Sequence, residues 1–199
     1  MDWQVLPIPE SIAQDMKRKN IWRPDCPVNI NSLSLVKVRH VNFDNQSQVG
    51  ELIVHHKLAN IVAHIFTDLL KLKFPINKIC LINDYNGDDN LSMTDNNSSA
   101  FNFRTIAGSS IISMHSYGLA IDINPLQNPY LIIDENKSQI DIYPKAGIHF
   151  LNRHNIRAGM LEPVVEIFSK HGLVWGGTWN NPIDYHHFQV PREKINDFL

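Results

Sequence analysis

Leu58, Val62, Ile65, Leu69 and Leu72 fall three or four residues apart, the spacing that gathers side chains on one face of an α-helix. They predict a helix over about residues 55–73, stopped before Pro75, whose apolar face needs a broad partner. The preceding chain offers one. Leu33–Val41 and residues 50–54 are rich in β-branched and aliphatic side chains, and Asp44-Asn45-Gln46 between them is turn chemistry, so two strands are expected beside the helix.

Further along, residues 79–82 form a short apolar run that suits a strand, and residues 84–99 become polar, with Gly87, Asp88, Asp89, Asn90, Asp95, Asn96 and Asn97. A polar stretch of that length is either a mobile excursion or a functional loop. Leu161, Val164, Val165 and Phe168 predict a second helix over 160–171, with Gly172 as its C-terminal stop and Leu173-Val174-Trp175 as a following strand. Pro7, Pro9, Pro24 and Pro27 break up the first thirty residues, which read as an irregular arm packed on the domain, with one short helix over residues 11–19. Strands grouped between two helices favour an α+β domain on a small antiparallel sheet over a doubly wound fold. At 199 residues the expectation is one domain over 1–199.

Composition excludes some partners. A net charge of −2 from 18 basic and 20 acidic residues supplies no field to hold nucleic acid or an anionic membrane. No apolar run reaches the roughly 18 residues of a membrane span, and the first residues, Met1-Asp2-Trp3-Gln4, lack the pattern of an export signal. Cys26 and Cys80 are too few and too far apart for a cysteine-rich metal module or redox pair. Two buried free thiols are expected in preference to a disulfide.

Chemistry concentrates in two segments. In Ser113-Met114-His115-Ser116-Tyr117-Gly118-Leu119-Ala120-Ile121-Asp122, a straight strand would hold His115 and Asp122 about 23 Å apart and a helix about 10 Å. To share one metal ion the chain must bend between them, and Gly118 is the residue best able to bend. After it, Leu119, Ile121 and Ile123 alternate with Ala120, Asp122 and Asn124, so a strand turns Asp122 away from the large aliphatic residues. The second segment, Trp175-Gly176-Gly177-Thr178-Trp179-Asn180-Asn181-Pro182-Ile183-Asp184-Tyr185-His186-His187-Phe188, adds a carboxylate and two histidines. A catalytic zinc takes three protein ligands and leaves a place for water, with a carboxylate nearby to accept a proton. Spacing does not decide between His186 and His187. A strand puts His186 on the face of Asp184, whereas a bend brings Asp184 and His187 together.

The pattern Ser113-x-His115-x-x-Gly118-x-Ala120-x-Asp122, followed by Gly176-Gly177-x-Trp179 and Asp184-x-x-His187-Phe188, resembles the zinc D-alanyl-D-alanine carboxypeptidases related to the vancomycin-resistance carboxypeptidases and dipeptidases. The similarity extends from about Cys26-Pro27 to Phe188. It implies one zinc per chain held by His115, Asp122 and His187, with Asp184 as catalytic base. Arg104 falls where the family places a cation on the scissile carbonyl or substrate carboxylate, a task that suits a planar, permanently charged guanidinium, and Ser113 falls at a substrate-contacting position. Many relatives have glutamate where this chain has Asp184. The implied fold is a small antiparallel sheet flanked by helices, as in lysostaphin-type peptidases and the hedgehog domain.

The expected activity is hydrolysis of peptidoglycan stem peptides or muropeptides, foremost as a D-alanyl-D-alanine carboxypeptidase. The alternatives are an L-alanyl-D-glutamate-type wall endopeptidase and a zinc-bearing binding module without turnover, against which Asp184 and Arg104 both speak. A cysteine hydrolase is disfavoured, since Cys80 lies within an apolar run and Cys26, between Asp25 and Pro27, has no cationic cluster nearby in sequence. Location is periplasmic or in the cell envelope if an export signal was removed, and otherwise cytoplasmic.

Overall fold

The computed structural model describes residues 2–134, 136 and 139–199. Strand β1 (Trp3–Pro7) leads into helix α1 (Glu10–Arg18), followed by β2 (Leu33–Val41), β3 (Ser47–His55) and helix α2 (His56–Lys71). Then come β4 (Lys78–Ile79), α3 (Asp89–Thr94), β5 (Asn97–Ser98), β6 (Ala120–Asp122), β7 (Tyr130–Asp134) and β8 (Gln139–Tyr143). The C-terminal part holds α4 (Val165–Ser169), β9 (Val174–Trp175), β10 (Ile183–Asp184) and β11 (His187–Gln189). The class is α+β with small antiparallel sheets, as expected.

Three three-stranded antiparallel sheets, ordered β1-β2-β3, β10-β7-β8 and β6-β11-β9, accompany one parallel pair, β4 with β5. The predicted apolar face of α2 is buried through Leu58, Val62, Ile65 and Leu69, and it shares one core with Val36, Val38, Leu52 and Val54 of the first sheet. The same core runs on to Leu119, Ile121, Phe168 and Phe188, so the sheet that carries the candidate site is anchored in the main hydrophobic cluster. Phe168 and Phe188 stack with ring centroids 3.7 Å apart. No helix among the described residues is long and apolar enough to cross a membrane.

Several expectations need correction. The first thirty residues hold the expected short helix, as α1, but the rest of them is not wholly irregular. Residues 3–7 add an edge strand to β2 in full antiparallel register, with Pro7 at the strand's last position, where an edge strand tolerates proline. The run over 79–82 is a strand only at its start, because Ile82–Tyr85 turns into a 3-10 helix. The second helix is short, with a 3-10 turn Glu162–Val164 ahead of α4. Residues 130–143 carried no expectation and contain the hairpin strands β7 and β8. Cys26 and Cys80 are free, as expected, but half-buried.

The polar stretch 84–99 is built into the fold. Lys78 Nζ and Tyr85 Oη both reach Asp95 Oδ2, at 2.7 and 2.6 Å. Asn97 exchanges hydrogen bonds with the backbone of Cys80 through its side-chain amide, and buried Asn96 donates to Gln127 Oε1 at 2.9 Å.

Candidate metal centre

His115 sits in a 3-10 turn, Met114–Tyr117, opened by Ser113, whose Oγ accepts the His115 backbone N–H at 3.3 Å. Gly118 closes the turn in the left-handed region at φ 67°. A Cβ at Gly118 would lie 2.5 Å from the backbone nitrogen of His55, so both the bend and the close approach to β3 require glycine there. The chain then enters β6, which pairs with β11 so that Asp122 stands directly opposite His187. Facing residues of an antiparallel pair project to the same side. A turn at Tyr185-His186 separates β10 from β11, so that His187 faces Asp122 while His186 is the histidine beside Asp184.

The three side chains converge and are all buried. His115 Nε2 lies 3.1 Å from Asp122 Oδ2 and 3.1 Å from His187 Nδ1, and His187 Nδ1 lies 2.9 Å from Asp122 Oδ1. One ligand atom from each residue falls within 4.8 Å of the other two.

The outer ring nitrogens are already committed. His115 Nδ1 donates to the carbonyl of Ala100, and His187 Nε2 faces Gln189 Oε1 at 2.9 Å. With those nitrogens as donors, neutral imidazoles turn two lone pairs toward each other beside a carboxylate. That arrangement calls for a cation between them, so the residues fit a divalent metal.

Burial by itself would raise the Asp122 carboxyl, but the charges of His115 and His186 and hydrogen bonds from His115 and His187 hold it well below the usual carboxylate range. Burial likewise opposes charge on His187, yet its hydrogen bond to Asp122 and the nearby Asp122 and Asp184 charges raise its pKa.

Asp184 is outside this group of three but close to it. Its Oδ1 lies 3.1 Å from His186 Nε2, which in turn is 3.9 Å from Asp122 Oδ2. The first contact is not aligned as a hydrogen bond, so Asp184 Oδ1 is sealed from solvent without a hydrogen-bond partner. Gly176 makes room for the backbone and Cβ of Asp184, since a Cβ there would fall 2.7 Å from Asp184 O and 2.9 Å from Asp184 Cβ. His186 is held from behind by the carbonyl of Asn128, at 2.9 Å from Nδ1. Asn128 is itself fixed by Arg153, which forms a two-pronged pair with Glu162 at 2.5 and 2.7 Å. Spacing left His186 and His187 undecided, and nothing local in the sequence pointed to this chain of contacts.

Arg104 approaches from the segment before the turn. Its backbone N–H donates to Ser116 Oγ and its carbonyl accepts from Ser113 N, which ties it to both flanks of His115. Tyr130, opposite Asp184 in the β10–β7 pairing, has its phenol pKa raised by burial and the Asp184 charge and lowered by Arg104. Ser113 is buried with its hydroxyl engaged in the turn. Trp179 packs at 5.5 Å from the His187 ring.

Residues 107–190 match the family model described as D-alanyl-D-alanine carboxypeptidase. The match covers less than half of the chain, yet it includes His115, Asp122, Asp184 and His187 and excludes Arg104. The resemblance read from the motifs is supported over that stretch. No curated protein and no solved structure matches the chain.

Proposed function

From the D-alanyl-D-alanine carboxypeptidase match over residues 107–190, we propose that this chain is a zinc-dependent peptidase of peptidoglycan stem peptides, foremost a D-alanyl-D-alanine carboxypeptidase. The observation that carries the metal part is the pair of buried imidazole nitrogens, 3.1 Å apart with a carboxylate beside both. His115 through Nε2, His187 through Nδ1 and Asp122 would hold one zinc. A zinc ion there supplies a Lewis acid for the scissile carbonyl and acidity that makes water a nucleophile near neutral pH.

The protein's own groups divide the remaining work. Asp184 takes the proton of the attacking water and returns it to the leaving amine, a role its unsatisfied Oδ1 suits. The Arg104 guanidinium faces the negative charge that develops on the substrate or already resides on its carboxylate. The aspartate is one methylene shorter than the glutamate of many relatives, and the space left by Gly176 lets its backbone come in.

The test is incubation of the zinc-loaded protein with defined muropeptides, the products being identified by mass. Release of terminal D-alanine is the expected result. Cleavage between L-alanine and D-glutamate would replace the carboxypeptidase with an endopeptidase, and stoichiometric zinc without any cleavage would leave a binding module.

A further inference from the structure

An arginine that stabilises a reacting group is useful only if its planar edge points the right way. The root of Arg104 is fixed by Ser113 and Ser116. Its tip meets Asp89, with Nε ion-paired to Asp89 Oδ2, although the N–H is not aligned for a hydrogen bond. Both side chains are half-buried.

Asp89 is restrained in turn. Its Oδ1 accepts from Asn102 Nδ2 at 2.8 Å, and the same nitrogen donates to the carbonyl of Gly87 at 3.0 Å. As the first residue of α3, Asp89 would ordinarily be read as serving the helix end. That service is already supplied by Asp88, whose Oδ1 accepts from Leu91 N at 3.0 Å. The two Nη groups, the edge that can donate two parallel hydrogen bonds, make no hydrogen bond to the described residues, and Arg104 has no ion-pair partner among them other than Asp89.

The structure assigns to Asp89 the positioning of the Arg104 guanidinium, with its Nη edge turned to the substrate. This assignment rests on the peptidase reading above for its consequence in catalysis, and on the ion pair alone for its geometry. It also gives the polar segment 84–99 a purpose, because that excursion carries the carboxylate to the arginine.

Asp89→Asn is the variant of choice, since asparagine keeps an oxygen for Asn102 and removes the charge facing Arg104. On the peptide that the parent cleaves, kcat/KM should fall about tenfold or more, with zinc content and Tm unchanged. In an Arg104→Ala background the same substitution should cost nothing further. An undiminished kcat/KM, or an equal second loss in that background, overturns the assignment.

The geometry is read without turnover from the 15N–1H resonance of Arg104 Nε, identified by its absence in Arg104→Lys. In Asp89→Asn this resonance should move toward those of exposed arginines and exchange faster with water. An unmoved resonance overturns the assignment whatever the chain does to peptides. Failure to cleave any muropeptide would count against the peptidase reading alone.

Discussion

His115 and His187 present different ring nitrogens to the same point, and their outer partners explain the difference. The Ala100 carbonyl takes Nδ1 of the first, and Gln189 takes Nε2 of the second. His187→Ala should therefore abolish stoichiometric zinc binding, whereas His186→Ala, which removes a side chain that faces Asp184 and Asn128, should retain the ion. Metal analysis of the two purified variants decides this, and the reverse pattern would exchange their roles. Asp184→Asn should keep the zinc and the melting temperature yet slow turnover by about 100 to 10,000-fold, the usual worth of a general base. Loss of zinc from that variant would make Asp184 a ligand. Arg104→Lys should likewise keep fold and metal but lose much of the activity, because an ammonium cannot reproduce a two-pronged planar contact; near-parental rates in Arg104→Ala would remove the residue from the chemistry.

At the scale of elements, α2 begins on a titratable cap. His55 Nδ1 accepts the Lys57 N–H at 3.3 Å, and burial, with the neighbouring His56 and Lys57 charges, lowers the His55 pKa to about 4. A depressed histidine stabilises the fold fully above its unfolded value of about 6.5. That contribution declines as pH falls below 6.5 and is lost through about pH 4. Denaturant titrations at intervals between those values should show it, and His55→Asn, which keeps a capping oxygen without a charge, should flatten the slope. A slope unchanged by His55→Asn would place the acid sensitivity elsewhere.

Phe188 does a comparable job for β11, stacked on Phe168 and fully buried. Phe188→Ala should destabilise the protein by about 3–5 kcal/mol and loosen the adjoining His187, as chemical denaturation and a zinc titration would record.

These elements also show what was readable in advance. The helix α2 announces itself because its periodicity is dictated by one buried face, and strand β2 does so through its β-branched and aliphatic content. The His115, Asp122 and His187 set was legible through motif order, and the bend at Gly118 through chain geometry. The edge strand β1 was hidden by Pro7 at its end and Pro9 just beyond, since a proline's compatibility with an edge depends on which neighbour pairs. The β7–β8 hairpin, the His186 contacts and the Asp89–Arg104 pair arise from residues brought together by the tertiary fold, so no local pattern encodes them.

For the whole molecule, the candidate metal centre joins the 3-10 turn at residue 115 to strands β6 and β11 inside the main core. Removing zinc with a chelator should abolish activity and lower Tm, and restored zinc should reverse both. At free zinc a hundredfold above Kd the gain is about 2.7 kcal/mol, or about 5–10 °C for a chain of this size. Thiol-blocking reagents should leave activity intact, since Cys26 and Cys80 are half-buried thiols with pKa values raised chiefly by burial. Thiol sensitivity combined with indifference to chelation would reverse the assignment to metal chemistry.

The pairing of Asp122 with His187 has a kinetic consequence. Neither β6 nor β11 can present its ligand correctly until the long intervening segment, with its own hairpin, has closed back on the first strand, and such distant closures are slow steps of chain organisation. A coloured divalent ion such as cobalt would acquire its bound spectrum only when that closure is complete. The centre is thereby a clock for that long-range closure in refolding, and its signal should lag behind the circular dichroism of α2, a helix whose hydrogen bonds are local.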